Sequence, residues 1–381
     1  MDALDLLGGD AQAFLDDVWA TRAHIHKADI DRLVALLALD DVDALLTSTA
    51  LRTPALRIAQ DGKVLTASSY TRQATIAGEQ LTGLVDVRKV VALFEGGATL
   101  VLQGLHRYWP PLTQLIRSLE RGLGHPCQAN AYLTPAGAQG FALHSDAHDV
   151  FVFQTHGAKQ WEVHDRGSQL DVLMEVGTCM YLPAGTPHAA RTQDTASLHV
   201  TVGVNQVSYR EALRGVVDTV LDDPRYSGRL PAAYLDDPET LASGFATRLT
   251  SLADTLAGLE PLALASQHAT SFLSSRRTEL RGALQDILSI ETIDDDTILQ
   301  RRPGAFCVVD PCGDSSTRVT LLLGDRQLHL PSWLADVAAH VAALPADAIL
   351  RPADLAPWLE RQSRVVLSRR LVREGLLKVA G

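Results

Sequence analysis

The sequence lacks the cysteine pattern of a zinc-binding protein and the long apolar runs of a membrane protein. Its four cysteines are scattered, and the one close pair lacks the second pair that would complete a zinc site. No segment approaches the roughly 18 consecutive apolar residues of a membrane span, so none is expected. We therefore expect a cytoplasmic protein with reduced thiols, namely Cys127, Cys179, Cys307 and Cys312.

Basic residues are also scarce. Lysine and arginine together number 34 against 45 aspartates and glutamates, which gives a net charge of -11. Proteins that bind nucleic acid normally carry a clustered basic excess, so nucleic acid is not an expected partner. The N-terminal segment MDALDLLGGDAQAF carries acids where a secretory signal would carry basic residues. Both observations favour a cytoplasmic protein with other partners.

The chain contains enough apolar material for sizeable cores, with 46% hydrophobic residues over 381 positions, and this length predicts two or three domains. Residues 10 to 50 are predicted to be helical, and a hairpin is expected to turn at Asp61-Gly62. From about residue 130 to residue 206 the pattern changes to short strands punctuated by glycine, proline and aspartate. The clearest strands predict a β-barrel or sandwich, and they span 150–155, 160–164, 179–183 and 197–204.

After Gln206 the pattern becomes helical again. A continuous apolar stripe is typical either of packing within the chain or of a dimer seam, and it consists of Leu241, Phe245, Leu249, Leu252, Leu256 and Leu259. From about Arg281, helices and a hairpin turning at Gly324-Asp325 are the ingredients of a winged helix. The arginines near the C-terminus indicate a solvated face more than a DNA-binding one, and they are Arg361, Arg364, Arg369, Arg370 and Arg373.

The candidate chemistry begins with the segment FALHSDAHDVFVF. Two side chains two residues apart on an extended chain point to the same side, as do His144 and Asp146 here. The later segment LPAGTPHAA supplies His188 after a turn, where a strand should begin. Two neutral imidazoles and one carboxylate suit Fe(II) and leave three positions open for a bidentate 2-oxo acid and dioxygen. The chain has 13 histidines, so this pattern alone is a weak signal.

A cation is the next requirement, because an oxygenase of this kind must hold the distal carboxylate of 2-oxoglutarate. Lys159 follows His144 by 15 residues and lies on or beside the second strand. A lysine inside a barrel can hold a carboxylate through a charge-assisted hydrogen bond. By position alone, a solvent-exposed turn lysine is the favoured interpretation.

The segment NAYLTPAGAQGFALHSDAHDVFVFQTHGAKQWEVH, followed by YLPAGTPHAA and SLHVTVGV, resembles the JmjC-type ribosomal oxygenases. These are Fe(II)- and 2-oxoglutarate-dependent protein hydroxylases that act on arginine or histidine side chains of ribosomal proteins. The resemblance is specific over about residues 95 to 206. It implies an α+β protein with N-terminal helices and a double-stranded β-helix (jelly-roll, cupin-like) barrel over 1–206, a helical dimerisation region over 207–278 and a winged-helix-like domain over 279–381.

The resemblance also implies roles for individual residues. It makes His144, Asp146 and His188 the iron ligands and Lys159 the anchor of the 2-oxoglutarate carboxylate. Asn130 and Thr201 are expected beside the cosubstrate, together with His199 on the same strand face as Thr201. Tyr132 and Ser145 are expected beside the substrate. Strand-end capping for Asn130 and core packing for Tyr132 remain alternatives.

The sequence departs from the family at the expected rim of the pocket. Ser145 stands where relatives usually carry tyrosine, and Ala147-His148 replaces a more polar pair. These changes leave the substrate open. The interpretations are a homodimeric protein hydroxylase acting on Arg or His of a ribosomal protein, the same chemistry on a peptide natural product or small molecule, and a cupin-like binding protein without catalysis.

Overall fold

A computed structural model describes residues 3–138, 142–192, 194–310 and 317–380. Cys312 lies outside the described residues, whereas Cys127, Cys179 and Cys307 are buried. The chain divides into two compact units, residues 1–206 and 207–381. The separate boundary between residues 278 and 279 stays a prediction. None of the described helices combines the length and hydropathy needed to cross a bilayer.

The N-terminal unit contains a β-rich body and six α-helices. The helices are α1 (Ala3–Gly8), α2 (Ala11–Asp17), α3 (Ile30–Val34), α4 (Leu39–Ser48), α5 (Val87–Glu95) and α6 (Pro110–Leu123). The strands are β1 (His24–Lys27), β2 (Leu56–Gln60), β3 (Lys63–Val64), β4 (Thr71–Ile76), β5 (Glu79–Val85), β6 (Thr99–Leu102), β7 (Cys127–Thr134), β8 (Asp149–His156), β9 (Ala158–Asp165), β10 (Ser168–Glu175), β11 (Thr178–Leu182), β12 (His188–Thr192) and β13 (Ser197–Val204).

Two antiparallel sheets form the barrel. The larger sheet has the order β1-β11-β8-β13-β7-β6-β2-β3, and the smaller sheet has the order β10-β9-β12. The chain passes from one sheet to the other at Gly157, whose φ is +63°. A Cβ atom there would lie 1.8 Å from the carbonyl oxygen of Ala196, so only glycine fits this close approach. This tight passage connects the strands that were predicted over 150–155 and 160–164.

Some elements differ from the sequence prediction. Residues 24–27, inside the segment predicted to be helical, form β1 because they pair with β11 from His24 opposite Tyr181 to Lys27 opposite Thr178. A strand partner so distant in sequence overrides the local preference. The hairpin of β4 and β5 and strand β10 were also not predicted. The hairpin at Asp61-Gly62 is confirmed, with positive φ at both turn residues.

The outer face of the larger sheet packs against the N-terminal helices. The Phe14 ring lies 5.4 Å from that of Phe151 and 5.0 Å from that of Tyr181. Because side chains alternate along a strand, Phe151 and Phe153 face the helices while Val150 and Val152 face the barrel interior. This packing fixes β8, the strand that follows the predicted metal-ligating segment.

The C-terminal unit contains helices α7 (Tyr209–Leu221), α8 (Pro238–Ala257), α9 (Pro261–Ser274), α10 (Ala283–Ser289), α11 (Ala335–Ala343) and α12 (Arg361–Arg373). Its strands are β14 (Leu299–Arg301), β15 (Val308–Val309), β16 (Arg318–Leu322), β17 (Gln327–Pro331), β18 (Ile349–Leu350) and β19 (Leu377–Val379). They form two small sheets, β18-β14-β19 and β15-β16-β17. The β16–β17 hairpin turns at Gly324-Asp325, as predicted.

Several arginines of α12 are engaged with carboxylates of the same unit. Arg364 pairs with Asp295, and Arg369 lies 2.8 Å from Glu291. Arg370 lies 2.7 Å from Glu374. These pairs offset much of the basic charge that the sequence places near the C-terminus.

Candidate active site

Three metal-ligating side chains meet at the edge of the smaller sheet. One ligand atom from each of His144, Asp146 and His188 lies within 4.8 Å of the other two. His188 is the first residue of β12, and His144 forms a two-residue bridge with it. The backbone nitrogen of each histidine donates to the carbonyl oxygen of the other, at 3.1 and 2.8 Å. The backbone therefore holds the two histidines together.

The histidine hydrogen bonds orient both imidazole rings through their Nδ1 atoms. The Nδ1 atom of His144 lies 2.8 Å from the Ala142 carbonyl oxygen, and that of His188 lies 3.0 Å from the Thr186 carbonyl oxygen. A carbonyl oxygen only accepts, so each Nδ1 carries the proton and each Nε2 keeps its lone pair. Burial lowers the pKa of His188, which also favours the neutral, ligating form.

A turn before β12 braces the segment that carries Asp146. The Gly185 nitrogen donates to the Asp146 carbonyl oxygen at 2.8 Å. The buried Asp149 carboxylate accepts from the Ala184 nitrogen and from the Tyr181 hydroxyl, each at 2.7 Å. Asp149 therefore ties the start of β8 to the turn, a positioning role that the sequence analysis did not identify.

Lys159 lies inside the barrel, not in solvent. Its side chain is buried, and its Nζ donates to the Thr134 hydroxyl at 3.1 Å. Burial lowers its pKa to about 8. No carboxylate of the described residues forms an ion pair with it, so the barrel holds a buried cation whose negative partner must come from elsewhere.

These groups surround one cavity of about 250 Å³. Its wall also includes an aromatic layer in which the Tyr132 and His199 rings stack 5.0 Å apart at 5°. The Trp161 ring meets His199 edge-on at 5.5 Å. The lining consists of Arg57, Thr99, Tyr132, His144, Asp146, Val150, Val152, Lys159, Trp161, His188, Ala190, His199 and Thr201.

Comparison with known proteins identifies the segment around this cavity. A family model described as JmjC domain matches residues 107–170 and 165–212. This segment is similar to JmjC domains. The bifunctional lysine-specific demethylase and histidyl-hydroxylase NO66 of Branchiostoma floridae is 34% identical over 151 residues, which are 38% of this chain and 24% of that protein. Ribosomal oxygenase 2 of Mus musculus is 30% identical over 47% of this chain and 44% of that protein. The chain thus spans less than half the length of these relatives.

Solved structures extend the likeness beyond the JmjC domain. YcfD, a ribosomal oxygenase from Escherichia coli in complex with cobalt and 2-oxoglutarate, matches with a TM-score of 0.57 and 19% identity. That match covers 98% of this chain and 99% of YcfD. The match shows a like fold, and together with the family model it confirms the predicted JmjC-type, cupin-like barrel combined with helices.

The JmjC domain brings most of the predicted site residues to its cavity. Tyr132, Lys159, His199 and Thr201 line it together with the three ligands. Asn130 is not among the lining residues, and its side-chain oxygen accepts from the Gly104 nitrogen at 3.0 Å. It nevertheless shares a sheet face with its cross-strand partner Thr201. Its role beside a cosubstrate stays a prediction.

Ser145 lies beside the ligands without lining the cavity. It is exposed, like His144, which places it at the open side of the JmjC domain. Its role beside a substrate likewise stays a prediction. Trp161 lines the cavity, and it belongs with Val163, Met174 and Met180 to one apolar cluster.

Two cavity residues come from segments that the sequence analysis did not connect with the site. Arg57 belongs to β2 and Thr99 to β6. Thr99 donates from its hydroxyl to that of Thr134 at 3.2 Å, so it extends the polar surroundings of Lys159. No motif marks either residue, because their place depends on the register of strands distant in sequence.

Proposed function

We propose that the protein is an Fe(II)- and 2-oxoglutarate-dependent oxygenase that hydroxylates an arginine or histidine side chain of a ribosomal protein. One observation carries the proposal. Three metal-ligating side chains and a buried lysine without a carboxylate partner line the same small cavity.

The donor set fits iron(II). His144 and His188 each present Nε2, and Asp146 presents a carboxylate oxygen, which together occupy one face of a metal ion. With 2-oxoglutarate and dioxygen, an iron ion supplies the oxidation of a C–H bond coupled to decarboxylation of 2-oxoglutarate to succinate and carbon dioxide. The backbone bridge between the two histidines fixes the ligand geometry for this purpose.

The cosubstrate is expected to lie between the ligands and Lys159. Its distal carboxylate would supply the charge that the Lys159 ammonium lacks, while Thr134 and Thr99 orient that ammonium. Asn130, His199 and Thr201 lie on the adjoining sheet face, where they are expected to support the cosubstrate. Apolar side chains of both sheets, Val150 of the larger and Trp161 of the smaller, exclude water from the reacting atoms.

A polypeptide substrate is supported by the open side of the site and by the relatives. His144 and Ser145 are exposed, so a side chain can approach the ligands from solvent. Tyr132 offers an aromatic face and a hydroxyl beside the cavity. The net charge of -11 favours the approach of a basic protein, and ribosomal proteins are commonly basic. The similarity to proteins named ribosomal oxygenases points the same way.

The C-terminal unit supports a homodimer. Helix α8 contains no buried residue, and Phe245 and Leu249 of the predicted stripe are 51% and 60% exposed. Apolar surface of this kind is typical of an interface with another protein. We assign residues 207–278 to dimerisation, residues 279–381 to a winged-helix-like domain, and the protein to the cytoplasm.

Two measurements test the proposal. Purified protein with Fe(II) should convert 2-oxoglutarate to succinate, and ribosomal proteins incubated with it should gain one oxygen atom on a single protein, located by fragmentation. If only a small metabolite or a natural-product peptide gains oxygen, the substrate is of that other class. If 2-oxoglutarate is not consumed with any of these, the protein is a cupin-like binding protein.

A further inference from the structure

Arg57 is a second cation in the cavity, and neither the metal site nor the cosubstrate accounts for it. The two charges of 2-oxoglutarate are already matched, one by the metal and one by Lys159, under the proposed function. The Nε atom of Arg57 is buried and has no hydrogen-bond partner in the part of the chain that the structure describes. A buried donor without an acceptor is costly, so it points to a ligand group that fills the gap.

The position of Arg57 is set by strand register. It lies opposite Val101, which lies opposite Tyr132, which in turn lies opposite His199. Directly opposed residues share a sheet face, so these four side chains form one row across the barrel wall. Adjacent strands are about 4.8 Å apart, which places the backbone of Arg57 roughly 10 Å from that of Tyr132, within reach of an arginine side chain.

Tyr132 connects Arg57 with the metal site. Burial raises the pKa of Tyr132, the nearby Arg57 lowers it, and Asp146 raises it. The phenol is therefore within electrostatic range both of the guanidinium and of a metal ligand. Arg57 thus faces the part of the cavity in which a substrate side chain would lie against Tyr132.

Among the described residues that line the cavity, no carboxylate remains to receive a cationic side chain. Asp146 is the one carboxylate among the described lining residues, and it belongs to the metal site. A guanidinium cannot lose its charge at neutral pH, so it would enter beside Arg57 unpaired. An imidazole is mostly neutral at pH 7, and its unprotonated nitrogen accepts a hydrogen bond.

We propose that Arg57 determines substrate specificity by admitting a neutral, hydrogen-bond-accepting side chain, the imidazole of histidine, and by excluding guanidinium and ammonium groups. The inference rests on the proposed function and selects histidine over arginine as the hydroxylated residue. The Arg57 guanidinium donates to the unprotonated ring nitrogen, holds the ring against Tyr132, and disfavours its protonated form.

The first test is a binding measurement that does not depend on turnover. Labelled peptides with identical flanks carry His, Asn, Arg or Lys at the central position. Their affinity is measured by fluorescence anisotropy on protein loaded with Mn(II) and 2-oxoglutarate without oxygen. We expect the His and Asn peptides to bind about tenfold more tightly than the Arg and Lys peptides, since a tenfold ratio corresponds to one unpaired like-charge contact of modest strength. Equal affinities, or tighter binding of the Arg and Lys peptides, would overturn the inference.

Variants distinguish the effect of Arg57 on peptide affinity from the effect of the overall charge of the protein. Arg57→Gln should reduce several-fold the ratio between the affinities for the neutral (His, Asn) and the cationic (Arg, Lys) peptides. Arg57→Glu should invert this ratio. The matched control is Arg88→Gln, which removes one exposed positive charge of α5 outside the cavity and should leave the ratio unchanged. An unchanged ratio in Arg57→Glu, or an equal change in Arg88→Gln, would contradict the assignment.

Mapping of the product distinguishes this inference from the function on which it rests. With Fe(II) and ribosomal proteins, the added oxygen should be found on histidine. Oxygen on arginine or lysine would overturn the role of Arg57 while leaving the oxygenase intact. Absence of Fe(II)-dependent 2-oxoglutarate consumption would instead reject the oxygenase, and the anisotropy ratio would still decide whether Arg57 selects neutral side chains.

Discussion

In most proteins, apolar side chains are buried and polar groups are exposed or hydrogen-bonded. The interior of the barrel departs from this rule in its polar groups, and the helices of the C-terminal unit depart from it in their apolar side chains. The barrel buries polar atoms without partners among the described residues, including Arg57 Nε, Trp161 Nε1 and His199 Nδ1. Helices α7, α8 and α9 bury no residue and expose large apolar side chains, among them Leu213, Phe245, Leu249 and Leu262.

Each departure is costly for the isolated chain and becomes favourable with a different partner. Buried polar groups require hydrogen bonds or charges, which a metal ion, a dicarboxylate and a substrate side chain can supply. Exposed apolar surface requires another apolar surface, which a protein supplies. The barrel is therefore arranged for small, charged ligands and the helical region for a macromolecule.

Loss of one metal ligand should have the largest effect on the barrel. His188→Ala removes one of three ligands and the side chain that Asp146 approaches at 3.7 Å, so 2-oxoglutarate decarboxylation should become undetectable. His144→Ala and Asp146→Ala should behave alike. The measurement is succinate formation with Fe(II), and a matched control is His164→Ala, whose ring contacts Glu162 outside the cavity. Turnover at the wild-type rate in His188→Ala would reject the metal site.

Replacement of Lys159 should weaken the cosubstrate without removing the metal. A buried charge-assisted hydrogen bond contributes roughly 1.5–3 kcal/mol, so Lys159→Met should raise the Kd for 2-oxoglutarate about ten- to a hundredfold. Titration calorimetry with Mn(II) measures this, and Mn(II) affinity in the absence of 2-oxoglutarate is the control. Equal 2-oxoglutarate affinity in the variant would leave Lys159 without this role.

Lys159 favours cosubstrate binding, but its buried charge should destabilise the ligand-free protein, and the depressed pKa makes this destabilisation depend on pH. Burial depresses this pKa from 10.5 to about 8, so between these values the unfolded chain binds more protons than the folded one. The stability of the ligand-free protein should therefore rise as the pH increases from 8 to 10.5. Lys159→Met should be more stable than the wild type near pH 7 and lack this rise. Thermal unfolding without ligand at several pH values checks both expectations.

The cluster of His144, Asp146 and His188 could be predicted from sequence because each of its two segments carries a local signal. His144 and Asp146 follow each other on an extended segment, and the turn before His188 is marked by proline and glycine. Lys159 was left open between two interpretations, because its burial depends on which way β9 faces. Lys159, Trp161 and Val163 occupy every second position of β9 and are buried on its inner face. Only the pairing of β9 with β10 and β12 sets which face this is.

The remainder could not be predicted because it depends on contacts between distant segments. Arg57 precedes His144 by 87 positions (144 minus 57) and reaches the cavity only through the register of β2 with β6 and of β6 with β7. Strand β1 exists for the same reason, since its hydrogen bonds come from β11. Loop closure over such separations leaves no periodic signal within either segment.

A charge in the apolar stripe should disrupt the helical region alone. Phe245→Asp together with Leu249→Asp places two carboxylates on exposed apolar positions of α8 and should weaken dimerisation by about tenfold or more, the equivalent of roughly 1.4 kcal/mol. Light scattering over a concentration series measures the shift, while 2-oxoglutarate affinity should not change. The matched control is Thr250→Asp, on an already polar exposed position of α8. A monomeric wild type at micromolar concentration would contradict the dimer.

The smallest expected effect comes from the one neutral group that Lys159 contacts. The Thr134 hydroxyl accepts from Lys159 Nζ and from the Thr99 hydroxyl, so Thr134→Val removes an acceptor that favours the charged ammonium while keeping the volume of the side chain. A neutral hydrogen bond contributes about 0.5–1.5 kcal/mol, so 2-oxoglutarate affinity should fall only a few-fold near pH 7. The pH profile is the sharper readout. In the wild type, binding should weaken as Lys159 loses its proton above about pH 8, and in Thr134→Val this weakening should begin at lower pH. Thr134→Ser keeps the hydroxyl and should retain the wild-type profile. If Thr134→Val and the wild type share one profile, the hydroxyl does not help to hold the proton on Lys159, and the cosubstrate alone stabilises that buried charge.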